Sequence, residues 1–454
     1  MPKNLHKWLI FCIFVVSNNS TIINPLEQVK SLCETALLIS LWSNDLQAIR
    51  SQKSTKASFR SFFLDVMVGV LTISGRINFL QLARYCKSCE QRFRQNFRKK
   101  FDWIAFNQAL IVKQPGHRYS IAIDPSYVSK SGKKTPGIGY FWSGCAQAMK
   151  RGLEILGIAL VDADTREAYA IRAVQTLIQR IHRGRRPKCV AHIERDSLVS
   201  HYLKALYDFR DQLLQLSNII VADAFFSKAT FVQGLAILGF ELVSRFRDDV
   251  RLRYLYTGEK NGKRGRPKRF DGAVDLTNLK EEVFSSETYD WDGVDVTIHS
   301  AIAYAVSLER NVKVVIVDFD DPDKKTQTRK VFFSTDCSMS AKDVIDIYRS
   351  RFQIEFLFRD AKQFTGLCHC QSRDTRAMDF AFNLSLSAIN VAKAFGKQYN
   401  LNLSIADCKL MFHNALLIER FLSTFGNAPN LNKNQGQKEH YFKDLLLFGL
   451  KATA

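Results

Sequence analysis

The chain has 454 residues, of which 46% are hydrophobic and 24% are charged. This composition excludes a low-complexity or disordered chain, and the length predicts two to four domains instead of one compact core. Lys and Arg number 65 against 44 Asp and Glu, so the net charge is +21. An excess this large favours a polyanionic partner, with nucleic acid as the first candidate.

Residues 1–24 are predicted to be an N-terminal extension of uncertain status. Two lysines precede an apolar run from Trp8 to Val16, which resembles a secretory signal without a cleavage site. The run is too short to span a bilayer. A start codon assigned too far upstream explains the stretch equally well. The ten cysteines in a basic, loop-poor chain are typical of a reduced protein, so we expect a cytoplasmic protein that does not bind membranes.

Residues 25–115 are helical in character and are predicted to form a DNA-binding region. Apolar residues recur there at a spacing of three to four, as in Phe62, Val66 and Val70. The end of the segment is strongly basic, with Arg84, Lys87, Arg92, Arg94, Arg98, Lys99 and Lys100. Each charge taken singly fits a solvated helix equally well, but together they suit a phosphate backbone.

Two cysteine clusters raise the alternative of a zinc site. Cys86 and Cys89 lie in QLARYCKSCEQRFRQNF, which predicts a continuous basic helix. Cys368, His369 and Cys370 are adjacent on an extended segment, where ligands at i and i+2 point to opposite faces. We therefore interpret these cysteines as core or surface thiols.

From Tyr119 the pattern changes to strands. YSIAIDPS predicts a strand with Asp124 at its carboxyl edge, and GIGYFWSG, LEILGIALVDAD and AYAIRAVQ predict further strands. An amphipathic helix follows, and then a buried strand from Asn218 to Ala222 that ends in Asp223. Strands in hairpin order followed by strand–helix–strand predict a mixed sheet covered by helices.

Residues 251–340 are rich in strands and contain the basic segment KNGKRGRPKR at 260–269. Arg264 and Arg266 flank a glycine and precede a proline, which resembles a minor-groove hook. A basic hairpin that contacts phosphates without sequence preference is the favoured interpretation, and a solvated loop is the remaining one. Residues 376–454 have the pattern of helices that pack the core or support dimerisation.

Residues 341–375 contain the most informative pattern. Tyr348, Arg351, Glu355 and Lys362 have offsets of 0, 3, 7 and 14. At ~100° per residue they share one helix stripe roughly 60° wide. A carboxylate suits a metal ion, and the three donors suit phosphate oxygens. A solvated charged face is the alternative for this set alone, and turn formation or helix capping is the alternative for each of Asp124 and Asp223.

These segments resemble the DDE transposases of bacterial insertion sequences, in the group of the insertion sequence four type. Its Tyr-x2-Arg-x3-Glu-x6-Lys signature matches Tyr348, Arg351, Glu355 and Lys362, and AIDPSYVSKSGKKTPGIGYFWSG and VADAFFSK resemble its two Asp segments. The resemblance implies an α/β, ribonuclease-H-like mixed sheet with helices at 116–250 and 341–375. A β-rich insertion domain at 251–340 would interrupt it, between flanking helical regions.

The resemblance also implies a mechanism. Asp124, Asp223 and Glu355 would bind two Mg²⁺ ions, for which Mn²⁺ can substitute, while Tyr348, Arg351, Lys362, Arg264 and Arg266 would contact DNA phosphates. A nucleoid-associated bacterial homodimer would cut at terminal inverted repeats, form hairpin ends and join them to target DNA. Trp142 and Trp291 are candidates to stack on an extruded base, and buried core aromatics are the alternative. Tyr348 as a nucleophile is a rival interpretation of that residue.

Three functional hypotheses follow from these observations. The first is an active transposase, the second a catalytically silent DNA-binding relic, and the third a ribonuclease-H-like general nuclease. Intact acids at all three positions favour the first over the second. The basic segments and the strand-rich insertion favour it over the third.

Overall fold

The structure is a computed structural model that describes residues 57–177, 179–181, 188–190, 198–258, 267–321, 326–398 and 401–424. Predictions for the extension at 1–24, and for Arg264 and Arg266, fall outside the described residues. The helices are α1 Ala57–Thr72, α2 Phe79–Tyr85, α3 Glu90–Asn96, α4 Trp103–Leu110, α5 Leu198–Asp208, α6 Arg210–Leu214, α7 Ala229–Leu238, α8 Ala341–Ser350, α9 Gln353–Gln363, α10 Thr375–Gln398 and α11 Ile405–Thr424. Among them, none is long and apolar enough to cross a membrane.

The prediction of one continuous basic helix around the first cysteine pair is wrong. Helix α2 ends before Cys86, and α3 begins after Cys89. The Asp65 carboxylate on α1 accepts hydrogen bonds from the N–H groups of Lys87 (3.2 Å) and Ser88 (3.1 Å). These two donors are satisfied by a side chain instead of by helix carbonyls, so the chain turns at this point.

A ribonuclease-H-like arrangement of strands forms the centre of the molecule. Its strands are β1 Tyr119–Ser129, β2 Gly139–Ser143, β3 Ala148–Asp162, β4 Glu167–Gln175, β7 Ile219–Val221 and β8 Glu241–Arg245; the short β5 Gln179–Ile181 and β6 Lys188–Val190 pair separately. Strand β1 is antiparallel to β3, which is antiparallel to β4. On its other side β1 is parallel to β7, and β7 is parallel to β8. The predicted mixed sheet is confirmed.

The strand-rich segment that follows extends the same sheet. It contains β9 Leu252–Leu255, β10 Phe270–Ala273, β11 Ser285–Trp291, β12 Val294–Ala305, β13 Arg310–Asp321 and β14 Thr326–Ser334. Strand β14 is antiparallel to β8, with Phe333 opposite Ser244. A twelve-stranded sheet results, so the β-rich segment and the central strands share one hydrogen-bonded framework.

Helices cover both faces of the central strands. The face formed by Ala122 and Ile155 packs in one core cluster with α1, α8, α9 and α10, whereas Ile123 and Leu156 pack in a second cluster with α5 and α7. Helix α10 is anchored to β4 by Asn390, which donates to the carbonyl of Ala170 (2.7 Å) and accepts from its N–H (3.0 Å). This doubly bonded asparagine fixes the helix that lies behind α9.

Lys409 on α11 has an unusual buried position. It is only 7% exposed, and its ammonium donates to the carbonyl of Phe364 at the end of α9. Burial lowers the pKa of Lys409 from 10.5 to about 8. Helix α11 therefore contacts the carboxyl end of α9 through a cation that is costly to bury.

We expect Lys409→Met to remove a pH-dependent contribution to stability. Between pH 8 and 10.5 the unfolded chain binds the lysine proton and the folded chain does not, so the free energy of unfolding rises with pH there. At ~1.4 kcal/mol per pKa unit, this contribution is up to about 3 kcal/mol. Urea unfolding at pH 7.5 and pH 10 should show a smaller rise in the free energy of unfolding for the variant than for the wild type. Lys342→Met, at a half-exposed lysine on α8, is the control and should leave the slope unchanged.

Candidate active site

Asp124 and Asp223 lie at the same level of the sheet. In the parallel ladder between β1 and β7, Ala122 is opposite Val221, and no later pair follows. Each aspartate comes two residues after this pair, so the two acids lie side by side where the ladder ends. The prediction that β1 itself ends at Asp124 is wrong, because β1 continues along β3 to Ser129.

Helix α9 approaches the sheet at the position of Asp124. The residue opposite Asp124 on β3 is Gly157. A Cβ atom on Gly157 would lie 2.3 Å from the Cζ atom of Phe358, so the ring occupies the space that any other side chain needs. Glu355 precedes Phe358 by three residues and therefore lies on the same side of α9. This close contact brings the glutamate toward the two aspartates.

The predicted single helix is divided into two. The N–H groups of Arg351, Phe352, Ile354 and Glu355 each bond to the carbonyl three residues earlier, at 3.0–3.4 Å. This tight 3₁₀-type turn joins α8 and α9, and its residues advance by ~120° instead of 100°. Tyr348 thus lies on α8, Arg351 in the turn, and Glu355 and Lys362 on α9. Arg351 stays beside Tyr348 and Glu355, whereas Lys362 lies seven residues beyond Glu355, so the four residues do not form one straight stripe.

Arg351 lies between the acids. Its Nη2 atom is 3.0 Å from Oε1 of Glu355, and its Nη1 atom is 3.9 Å from Oδ1 of Asp124. The guanidinium is 5.8 Å from the centre of the Tyr348 ring. Its Nε atom is buried without a hydrogen-bond partner among the described residues. Burial opposes the charged form, but Tyr348, Asp124, Glu355 and Asp223 together raise the pKa of Arg351.

The aspartates are in an environment that disfavours negative charge. Burial raises the pKa of Asp124 from 3.8 to about 7; Arg351 opposes the shift, and the charges of Asp223 and Glu355 add to it. Burial likewise raises the pKa of Asp223, whose Oδ1 atom accepts from the N–H of Phe225 at 3.0 Å. Lys362 also favours the ionised form of Asp124, as Lys228 and Arg247 do for Asp223, but burial outweighs these cations. A bound cation would stabilise the ionised carboxylates further, so the group has the chemistry of a cation site.

Lys362 reaches the same region from the other end of α9. Its Nζ atom donates to Oγ of Ser126 at 2.9 Å. Ser126 follows Asp124 by two residues on β1, so the two side chains lie on the same face of the strand. Lys362 therefore extends the charged surface along β1, away from Arg351.

A cavity of about 380 Å³ opens beside Tyr348 and Arg351. Trp291 contributes to its wall, and the Arg349 guanidinium lies 4.4 Å from that ring centre. Arg245, which sequence reasoning missed, also lines it. Because Val221 is opposite Val243, Arg245 is level with Asp223. The available signal was a basic residue at the end of the strand FELVSRF.

The three predicted acids are not drawn together as tightly as bound ligands. In the part of the chain that the structure describes, the one group of at least three acidic, His or Cys ligand atoms within 4.8 Å of one another is His117, Asp162 and Asp164. Asp162 is opposite Tyr119 at the start of β1, well away from Asp124. Arg118 donates to Asp164 at 2.6 and 3.1 Å. The Arg118–Asp164 ion pair therefore holds this second cluster, which lies at the turn between β3 and β4.

Comparison with known families agrees with this arrangement. Residues 51–299, just over half of the chain, match the DDE superfamily endonuclease family. Residues 295–405, which include α8 and α9, match the archaeal ISC1217-type transposase family. No curated protein matches the chain. Both family matches support a transposase function, and endonucleases of this superfamily use divalent metal ions. This chain belongs to the DDE superfamily of endonucleases.

Proposed function

We propose that the protein is a cut-and-paste transposase of the insertion sequence four type. It cleaves DNA at the terminal inverted repeats of its element, forms hairpin ends and joins them to target DNA. The observation that supports this best is the convergence of Asp124, Asp223 and Glu355 from β1, β7 and α9 around Arg351. The Tyr348–Lys362 signature adds the phosphate-binding groups that such chemistry needs.

Asp124, Asp223 and Glu355 are the proposed ligands for two Mg²⁺ ions, with Mn²⁺ as a substitute. Their oxygen donors fit a hard divalent ion. Burial raises the pKa of Asp124, and a bound divalent ion would favour its ionised form. When bound, such ions activate water and stabilise the leaving 3′-oxygen. Arg351 would turn from the carboxylates to a DNA phosphate, because the metal then supplies the charge that these acids need.

Tyr348 and Lys362 are proposed to hold phosphates. Burial raises the pKa of Tyr348, although Arg351 and Arg245 favour its ionised form. A hydroxyl that keeps its proton is a hydrogen-bond donor and a poor nucleophile, which favours phosphate binding over a covalent tyrosine intermediate. Lys362 is a flexible point charge for the next phosphate along β1.

The cavity beside Tyr348 is proposed to accept an unpaired base during hairpin formation. Trp291 forms part of its wall, and aromatic faces bind bases of any sequence. Arg349 now covers the tryptophan ring and would have to be displaced or stack on the base itself. Trp142, the other candidate for stacking on an extruded base, is on β2 and does not line this cavity.

The proposed partners are the terminal inverted repeats and target DNA, bound by a homodimer that brings two ends together. Residues 25–115, Arg264 and Arg266 would add DNA contacts. The proposed division is a catalytic core at 116–250 and 341–375, an insertion at 251–340 and a C-terminal helical region at 376–454. These roles and domain boundaries are predictions.

A reconstituted reaction tests the function. The full chain would be incubated in Mg²⁺ with a plasmid that carries the element ends and with a second plasmid as target. Cleavage at both ends and joined products are expected, and chelation of the metal should stop both. Degradation of DNA without repeats and without joined products would indicate a general nuclease. No cleavage in Mg²⁺ or Mn²⁺ would indicate a silent DNA-binding protein.

Lys362→Ala should weaken DNA binding in a salt-dependent way. The binding constant K falls as salt rises, and loss of one phosphate contact makes the negative slope of log K against log salt shallower by about 0.9 for duplex DNA. Titrations of the element end at several salt concentrations measure this slope. Lys342→Met, at a lysine outside the site, should leave it unchanged. An unchanged slope for Lys362→Ala would remove this lysine from the phosphate contacts.

A further inference from the structure

The β2–β3 hairpin exposes an unusual set of large side chains. Tyr140 is 53% exposed, and Trp142 and Met149 are each 57% exposed. Trp142 is opposite Met149 in the hairpin, and Tyr140 is opposite Arg151. Directly opposed residues of an antiparallel pair share a face, so these four side chains form one surface, the hairpin platform.

The hairpin platform lies on the same face of the sheet as Asp124. Along β3, alternate residues share a face, so Met149 and Arg151 are on the side of Gly157, the partner of Asp124. Leu153 and Ile155, which lie between them on this face, are buried in the core cluster that includes Phe358. The platform and the surface under α9 are thus parts of the same sheet face, and the platform is the part that no helix of the described residues covers. At ~3.3 Å per residue, it lies about 20–26 Å from Gly157.

The chain segment that contains the platform carries charge of one sign. Residues 125–153 contain no Asp or Glu and five cations, namely Lys130, Lys133, Lys134, Lys150 and Arg151. The last four are exposed, and none of them forms an ion pair within the described part of the chain. A second copy of the same surface would be repelled by these charges, whereas a polyanion would be attracted.

We propose that the hairpin platform is a second DNA-contact site, which stacks unpaired bases of a strand that extends from the candidate active site. The inference rests on the proposed function, because it takes DNA as the substrate. Exposed aromatic faces beside cations are the usual elements of single-strand recognition. At the ~3.4 Å rise of a duplex-like, stacked strand, the distance to Gly157 corresponds to at most about six to eight nucleotides, and a more extended strand needs fewer.

Oligonucleotide binding by the full chain tests the proposal. The buffer contains a chelator, so that the DNA is bound and not cut. The probes are a fluorescein-labelled duplex with a single-stranded tail of eight thymidines and the same duplex with a blunt end. Trp142→Ala should weaken binding of the tailed probe ~10-fold or more and leave the blunt probe nearly unchanged, whereas Trp142→Phe should retain most of the affinity. Tyr207→Ala, at another exposed aromatic on α5, is the matched control.

Several outcomes separate this proposal from its alternatives. Equal affinities of wild-type and Trp142→Ala protein for the tailed probe would overturn it, even if cleavage in Mg²⁺ is normal. Equal weakening on both probes would mean a backbone contact, which also overturns base stacking. A change in mass by light scattering without a change in affinity would make the hairpin an interface between copies. If Trp142→Ala does not fold, Met149→Ser should still weaken the tailed probe selectively; failure to do so overturns the proposal.

Discussion

Glu355→Gln is expected to abolish DNA cleavage and strand transfer while DNA binding is retained. The amide has the shape of the carboxylate but no charge, so it cannot serve as an anionic ligand for a divalent ion. Its oxygen can still accept the hydrogen bond that Arg351 now donates to Glu355. Loss of metal-dependent stabilisation of several kcal/mol corresponds to a decrease in cleavage rate of about 10³-fold or more.

The measurement is single-turnover cleavage of a labelled element end, with binding measured on the same DNA. Asp360→Asn is the matched control, because Asp360 is on the same helix and pairs with Arg359 instead of facing the acids. That variant should cleave at close to the normal rate. Cleavage by Glu355→Gln at more than a few per cent of the wild-type rate would show that the carboxylate assignment is wrong.

Gly157→Val is expected to lower the cleavage rate about 10²-fold from a position that bears no functional group. The new side chain would occupy the space of the Phe358 ring, whose Cζ atom lies 2.3 Å from an ideal Cβ. Because Phe358 is itself buried, we expect its ring to have little room to turn aside, so that α9 moves away from β3 and Glu355 separates from Asp124. Overpacking of this kind costs about 1–3 kcal/mol in stability, and displacement of a catalytic group by ~1 Å costs about 10²-fold in rate.

A second substitution distinguishes helix displacement from general damage. Phe358→Leu makes room at the contact, so the double variant should recover part of the activity and stability that Gly157→Val loses. Gly75→Ala is the control for a glycine replacement, because nothing lies within 4 Å of its Cβ position. Additive losses in the double variant would mean that the Gly157–Phe358 contact does not position α9.

The central strands, and the positions of Asp124 and Asp223 relative to them, could be predicted because the signal lies within short segments of the sequence. Runs such as YSIAIDPS and NIIVADAFFSK are short, apolar and β-branched, and each places an acid just after the buried residues. Burial of these runs in a sheet leaves little freedom in where the following aspartates lie. The spacing from Tyr348 to Lys362 predicted one shared helix stripe, of which the contacts of Arg351 with Tyr348 and Glu355 are present.

Other features depend on contacts that a local pattern does not contain. Strand β1 passes beyond Asp124 because β3 pairs with it to Ser129, a partner that lies more than 20 residues away. The helix is broken at Arg351 by i−3 hydrogen bonds, although the residues around it have helical periodicity. Arg245 joins the site through strand register with Asp223, and register between distant strands is not visible in a single segment.

The continuous sheet has a mechanical consequence for the order of events on DNA. Strands β12, β13, β14, β8, β7 and β1 are linked by hydrogen bonds without interruption, and Trp291 belongs to the strand that adds to β12. The cavity wall at Trp291 and the acids at Asp124 and Asp223 are therefore joined by one continuous hydrogen-bonded sheet. In the proposed reaction, cleavage, hairpin formation and joining would require different positions of the reacting strands. If the proposed reaction takes place on this one sheet, we expect the DNA to move between these positions while the protein keeps its shape.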